Sequence, residues 1–369
     1  MFLTIIIFII ILGLLVFVHE LGHFITARKV GMPVEEFGIG FPPRIWSITR
    51  GGTKYSINLI PLGGFVRITG EDGVDGGDDN AFNKKKIWQR ALVLVAGVTM
   101  NFVLAWLVLS VGFIGGLPSI VDDSLPGSAT VRDRQLQIIE VLDDTPATAA
   151  GVELGDAVTA INGQSITSFE ELRTLISQSD GSDIVLDVRR IDEPMEFTIT
   201  PAYNESSESY QIGIGVTESG IVSYPWYSSL WYGLVAAAAL LWQILVIFAT
   251  ILGQLFTTGS VGADVSGPLG IAVMTGQVVD LGYAYVLQFI AILSLNLAII
   301  NIIPFPALDG GKLLFLLIEK IKGSPVNQRV ENLIHNFGFL FLILLVIVIT
   351  YRDAVRFGGD ILGAIKGFF

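Results

Sequence analysis

The sequence predicts a polytopic α-helical membrane protein that carries a small membrane-associated β-sheet and one inserted α/β domain. Three observations lead there. The 369 residues are 52% hydrophobic and only 15% charged, with a mean hydropathy of +0.66, which ordinary soluble chains of this length do not reach. Long uncharged apolar runs recur at 2–18, 91–117, 230–256 and 283–303. Between the second and third of them, residues 120–202 show the strand and turn patterns of a soluble domain. The net charge of −12 argues against nucleic acid as a partner. With no cysteine, disulfides, thiolate metal sites and cysteine nucleophiles are excluded, so any metal ligand is His, Asp or Glu.

The first run leads straight into His19-Glu20-Leu21-Gly22-His23. Residues four apart share a helix face, about 6 Å apart at Cβ, so His19 and His23 can share one zinc ion. Glu20 lies beside them, where a carboxylate can take a proton from a water at the metal and pass it to a leaving amine. That is the machinery of peptide hydrolysis. Residues 2–18 are apolar with no basic residue before them and no small-residue cleavage site after them, so the run reads as a span and not as a signal peptide. At ~1.5 Å per residue His19 lies about 25 Å along that helix, near the far membrane face.

Residues 24–90 hold ten of the twenty-two Lys and Arg, which places this loop in the cytoplasm and the N-terminus outside. Segments 44–50 and 53–60 alternate apolar and polar around Gly51-Gly52, a hairpin signature, and 65–68 suggests a third strand. An edge of that sheet can hold a substrate segment extended for attack. The tract Glu71 to Asp79 lacks calcium-loop spacing and reads as a solvated linker. Lys84-Lys85-Lys86 and Arg90 mark the cytoplasmic edge of a second span, Ala91 to Leu117, whose strongly polar Asn101 faces the protein interior.

In the inserted domain, 136–142 reads as a strand and Thr145-Pro146 to Gly151 as a short helix. Gly155 to Asn162 is a strand entering a turn, Ser168 to Glu171 a capping box opening a helix to Ser177, and 184–189 and 195–200 are two further strands. In this order, with Ala-Gly-Val-Glu-Leu-Gly-Asp and Ile-Asn-Gly, the stretch resembles a PDZ domain. Such domains bind peptides by adding a strand beside a helix.

Asn301-Ile-Ile-Pro304-Phe-Pro306-Ala-Leu308-Asp309-Gly310 ends the run 283–303. The prolines break the helix, and a carboxylate at membrane depth costs at least ~2.5 kcal/mol without a partner. Zinc is one partner; a turn whose backbone N–H groups bond the carboxylate is the alternative. A final span, 337–351, follows a basic cytoplasmic loop, in which His335 reads as a surface residue. If Asp309 reaches the zinc, residues 203–282 cross the membrane an even number of times. Although hydropathy alone makes 230–256 a span, this predicts a helix lying along the outer leaflet or a re-entrant hairpin, with Trp226, Trp231 and Trp242 at the interface. The chain thus divides at 1–117, 118–202, 203–282 and 283–369.

His19-Glu-Leu-Gly-His23 in a first span, Asn301-x-x-Pro-x-Pro-x-Leu-Asp309-Gly in a later one and a PDZ-like insert between them resemble the site-2 protease family, and most closely its bacterial branch acting in regulated intramembrane proteolysis of anti-sigma factors. Gly40-Phe41-Pro42, Pro61-Leu-Gly-Gly-Phe-Val and Ser266-Gly-Pro-Leu-Gly270 add to the likeness. The resemblance implies Zn2+ held by His19, His23 and Asp309, with Glu20 as base and Asn301 beside the substrate. It implies single-span membrane substrates already trimmed by a site-1 protease, and a multi-pass protein of the bacterial inner membrane with its active site toward the cytoplasm and the PDZ-like domain outside. Competing readings are an anchored metalloprotease cutting soluble loops and a non-catalytic PDZ adaptor; an intact Glu20 speaks against the adaptor. Val98 stands where a Gly-Pro-x-x-Asn pattern has proline.

Overall fold

The computed structural model describes residues 2–358 apart from 74–76, 123–124, 143, 191–192, 206, 259–266 and 357. In chain order the elements are α1 (Phe2–Lys29), β1 (Val34–Arg50), β2 (Thr53–Ile68), α2 (Ile87–Gly115), β3 (Leu117–Ile120), β4 (Thr130–Val141), α3 (Pro146–Ala150), β5 (Ala157–Ile161), β6 (Gln164–Ser165) and α4 (Phe169–Ser177). There follow β7 (Ile184–Arg190), β8 (Glu193–Ile199), β9 (Ala202–Asn204), β10 (Ser209–Gln211), β11 (Ile214–Ser223), α5 (Trp226–Thr258), α6 (Pro268–Asp280), α7 (Tyr283–Ile302), α8 (Asp309–Lys322) and α9 (Gln328–Arg356). Two compact units result, Met1–Ser110 with Leu230–Phe369, and Val111–Ser229.

In the first unit α1, α2, α5, α7 and α9 are, among the described residues, the five helices long and apolar enough to cross a membrane. Helix α5 corrects one expectation. It runs unbroken for 33 residues, because Trp226 to Thr258 contains no proline and is rich in Ala and Leu, so a re-entrant hairpin within 230–256 is ruled out. The basic loop expected before the last span is also mostly helical. Asp309 opens α8 and Lys320 and Lys322 close it, matching the helix dipole at both ends. Asn327 accepts from Arg329 N–H at 2.9 Å and starts α9 nine residues earlier than hydropathy places the span. Buried Ile11 and Leu15 of α1 pack with Phe289 of α7, while Ala27, Met32, Val34, Ile68, Val93 and Leu316 close the other end.

Strands β1 and β2 are bent, so that residues 37–39 meet two stretches of β2. Phe37 faces both Val66 and Tyr55, Gly38 both Phe65 and Ser56, and Ile39 both Gly64 and Ile57. Trp46, Ile48 and Arg50 pair with Ile57, Tyr55 and Thr53 around the Gly51-Gly52 turn. The hairpin and third strand of the sequence are therefore joined through a central stretch, 34–39, which pattern alone did not reveal. Among the described residues, the outer edge of 64–68 has no partner strand.

The second unit is a sheet in the order β3-β11-β4-β5-β7-β8 around buried Leu136, Ile138, Val158, Ile161, Leu172, Ile184, Leu186 and Ile199. Ser168 caps α4 by accepting from Glu171 N–H at 3.3 Å, and Glu171 accepts in turn from Thr167 N–H at 3.0 Å. Asp156, fully buried, holds Arg190 at 2.7 Å. The boundary expected at 202 falls short of this unit, because β11 pairs with both β3 and β4 and extends it to Ser229. Three glycines in and beside that strand, Gly213, Gly215 and Gly220, hide it from a reading of strand propensity.

Candidate active site

Helix α1 carries His19 and His23 on one face, buried at 6% and 8% exposure, and α2 packs against that face. The close approach depends on Gly97, where a Cβ would lie 2.4 Å from His23 Nε2 and 2.7 Å from His19 Cε1. His23 Nδ1 lies 2.9 Å from Val93 O of α2, so the Nδ1 proton is donated there and Nε2 is left as a lone pair. The Nε2 atoms of the two histidines are 3.1 Å apart.

Asp309 arrives from the far end of the chain. Pro304 and Pro306 stop α7, and the start of α8 folds back so tightly that a Cβ on Gly310 would lie 2.1 Å from Ile303 O. Ala307, between them, adopts a left-handed backbone with φ of 78°. Its N–H donates to His335 Nδ1 at 2.9 Å. His335 is thus not the surface residue expected of it. It sits on α9, packs its ring on Phe315 and braces the loop that presents Asp309. Asp309 Oδ2 then lies 3.1 Å from His19 Nε2 and 3.2 Å from His23 Nε2.

Three ligand atoms 3.1–3.2 Å apart suit one small cation. Tetrahedral zinc with bonds of about 2.0–2.1 Å separates its ligands by about 3.3 Å, and two imidazoles with one carboxylate are an ordinary catalytic donor set. His23, with its proton on Nδ1, turns a bare Nε2 lone pair into the triangle beside the Asp309 carboxylate, a donor set that suits a cation. His19, His23 and Asp309 are the one such group of His, Cys, Asp and Glu among the described residues.

A cavity opens beside the triangle, lined by Glu20, residues 65–68, Glu71, Asp72 and Lys312. The free edge of 64–68 therefore borders it. Asn301 Nδ2 lies 3.5 Å from His19 Nε2, so His19, Glu20, His23, Asn301 and Asp309 come together at this point. Glu71, taken with the solvated linker, instead pairs with Lys312 at 2.6 Å. Burial works against the Lys312 charge, but the Glu71 carboxylate outweighs it and raises the ammonium pKa above its ordinary value. Gly97, Glu71 and His335 were missed because their meaning lies in contacts with other segments, 28 residues away for His335 and Ala307 and 241 for Glu71 and Lys312; only the spacing of Gly97 and Asn101, one turn apart on an apolar helix, was a visible signal.

The model of peptidase family M50 matches residues 7–345. The chain belongs to peptidase family M50. Over 439 aligned positions it is 31% identical to the regulator of sigma-W protease RasP of Bacillus subtilis, covering 96% of this chain and 98% of the relative. It is 31% identical to the regulator of sigma-E protease RseP of Escherichia coli, covering 95% and 98%, and 32% identical to the zinc metalloprotease RasP of Geobacillus kaustophilus, covering 96% and 98%. The PDZ domain of an SdrC-like protein from Listeria monocytogenes aligns with 24% of this chain and 92% of its own, at 23% identity and a TM-score of 0.22. This M50 protein is a zinc metalloendopeptidase of the site-2 protease type, a multi-pass protein of the bacterial inner membrane with an inserted PDZ-like domain, acting in regulated proteolysis.

Proposed function

We propose that the protein cuts the transmembrane segments of single-span membrane proteins, such as anti-sigma factors or signal-peptide remnants, after another protease has removed their outer domain. The carrying observation is the His19–His23–Asp309 triangle bordered by an unpaired strand edge at 64–68. A helical segment hides its peptide bonds, whereas one laid along that edge is extended and presents them. The relatives' roles as regulators of sigma-W and sigma-E support the anti-sigma class.

In this reading His19, His23 and Asp309 hold zinc, which when bound polarises the scissile carbonyl and makes water a better nucleophile. Glu20 accepts the proton of the attacking water as the new C–O bond forms. It returns that proton to the amide nitrogen as the C–N bond breaks, so the carboxylate is regenerated. Asn301 offers its amide N–H to the substrate carbonyl oxygen, and the 64–68 edge fixes the flanking residues. The basic 24–90 loop supports a site toward the cytoplasm with the PDZ-like unit outside.

The test mixes zinc-quantified protein with single-span peptides in bilayers and maps products by mass. Cuts inside the apolar segment, lost on chelation, are expected. Cuts confined to soluble flanks would replace this reading with that of an anchored protease of loops.

A further inference from the structure

Asn101 lies on α2 one turn beyond Gly97, with no exposed surface, and its side-chain amide is 3.4 Å from His19 Nδ1. Its Oδ1 is buried without a hydrogen-bond partner. A buried acceptor left unmet is destabilising, because it has given up its water without a replacement. The oxygen and nitrogen of a carboxamide exchange places by a half-turn, and their partners decide which way it points. His19 supplies the deciding partner. A neutral imidazole has one N–H, and His19 Nε2 is the atom turned to His23 and Asp309, so with a cation held there the proton resides on Nδ1 and whatever faces it must accept.

We propose that Asn101 is a positioning residue for the metal site: its Oδ1 accepts the His19 Nδ1–H and holds Nε2 free for the cation. The half-turn removes the orphaned oxygen and gives the ring proton its acceptor in one step. It also makes the two histidines alike, since His23 Nδ1–H already has Val93 O on the same face of α2. A helix-gluing role is served by another atom, because the Asn101 main-chain oxygen accepts from Ser294 Oγ of α7 at 2.8 Å.

The inference rests on the zinc reading above, and the experiment separates the two. Purified wild type, Asn101→Asp and Asn101→Leu are loaded with zinc, and metal release to a chelator is timed. Asn101→Asp, which keeps an acceptor, should hold zinc as wild type does. Asn101→Leu, of similar size, should release it about 10–100-fold faster while its zinc-free form melts no lower than wild type. Equal retention by Asn101→Leu, or loss by Asn101→Asp matching that of Asn101→Leu, overturns the Asn101 assignment alone. Wild type that binds no zinc overturns the metal reading instead. Imidazole 15N spectra of zinc-loaded wild type give a further readout that needs no variant: His19 should be protonated at Nδ1, and an unprotonated Nδ1 refutes the proposal.

Discussion

Glu20→Gln preserves the shape of the side chain and removes its proton acceptor, so cleavage should fall by about 10²-fold or more while bound zinc is unchanged. Single-turnover mass spectrometry with parallel metal analysis checks this; near-normal turnover would take Glu20 out of the mechanism. Asp156 carries a different prediction. Burial works against its charge, but Arg190 and the Glu153 N–H outweigh it and hold the carboxyl below the ordinary aspartate value. A depressed folded pKa means the stabilisation is fully present above about 3.9, the unfolded value, and is lost as pH falls through the folded one. Asp156→Asn should therefore cost the PDZ-like unit about 1–3 kcal/mol at pH 7, and the gap from wild type should close below pH ~3.9 in melts followed by circular dichroism. An equal gap at all pH would show that the pair is not the cause. Residues whose chemistry is local were legible: the four-residue spacing of His19 and His23 and the costly charge of Asp309 pointed to one place before any fold was known. His335 was misjudged, since a lone histidine near Asn336 and Glu331 shows nothing of the Ala307 N–H it receives from another segment.

Helices α1 and α2 meet through small residues, and the metal triangle inherits its dimensions from that contact. Gly97→Ala places a methyl group 2.4 Å from His23 Nε2, so either the helices separate or the ring turns away. The expected result is zinc affinity lower by about 10–100-fold with secondary structure unchanged, measured by competition with a chromogenic chelator. Wild-type affinity would mean that the rings tolerate displacement. Elements with strong periodicity or composition, the spans and the capped helix α4, were readable from sequence. Those that depend on partners were not: β11 is stabilised by β3 and β4 on its two sides, and 34–39 acquires strand character from being flanked by both ends of β2.

For the molecule as a whole, the disposition of α5 follows from where its start and the helix after it, α6, are fastened. Trp106 Nε1 donates to Leu230 O at 2.8 Å and Gly233 sits on Ser110, about 20 Å along α2 from Gly97. At the start of α6 Asp353 accepts from the N–H groups of Gly267 and Gly270, and within α6 Gly276 rests on Thr4, about 22 Å along α1 from His19. The start of α5 and the segment 267–276 thus pack against the ends of α2 and α1 away from His19 and His23. A perpendicular crossing would leave Thr258 about 37 Å from Gly233, whereas nine peptide steps back to Gly267 span at most about 32 Å. We expect α5 to run along the outer side, with exposed Trp231 and Trp242 at the lipid interface. Cysteines placed at 257–265 in this cysteine-free chain should react with an impermeant thiol reagent added outside; reaction only from the cytoplasm would refute this topology. The separation of the proposed ligands also sets a clock. His19 and Asp309 are 290 positions apart, so at about 5–20 residues per second the first histidine waits roughly 15–60 s for the carboxylate beside it. If these residues share the zinc, the nascent protease has no complete cutting centre throughout that interval, while neighbouring chains emerge into the same bilayer.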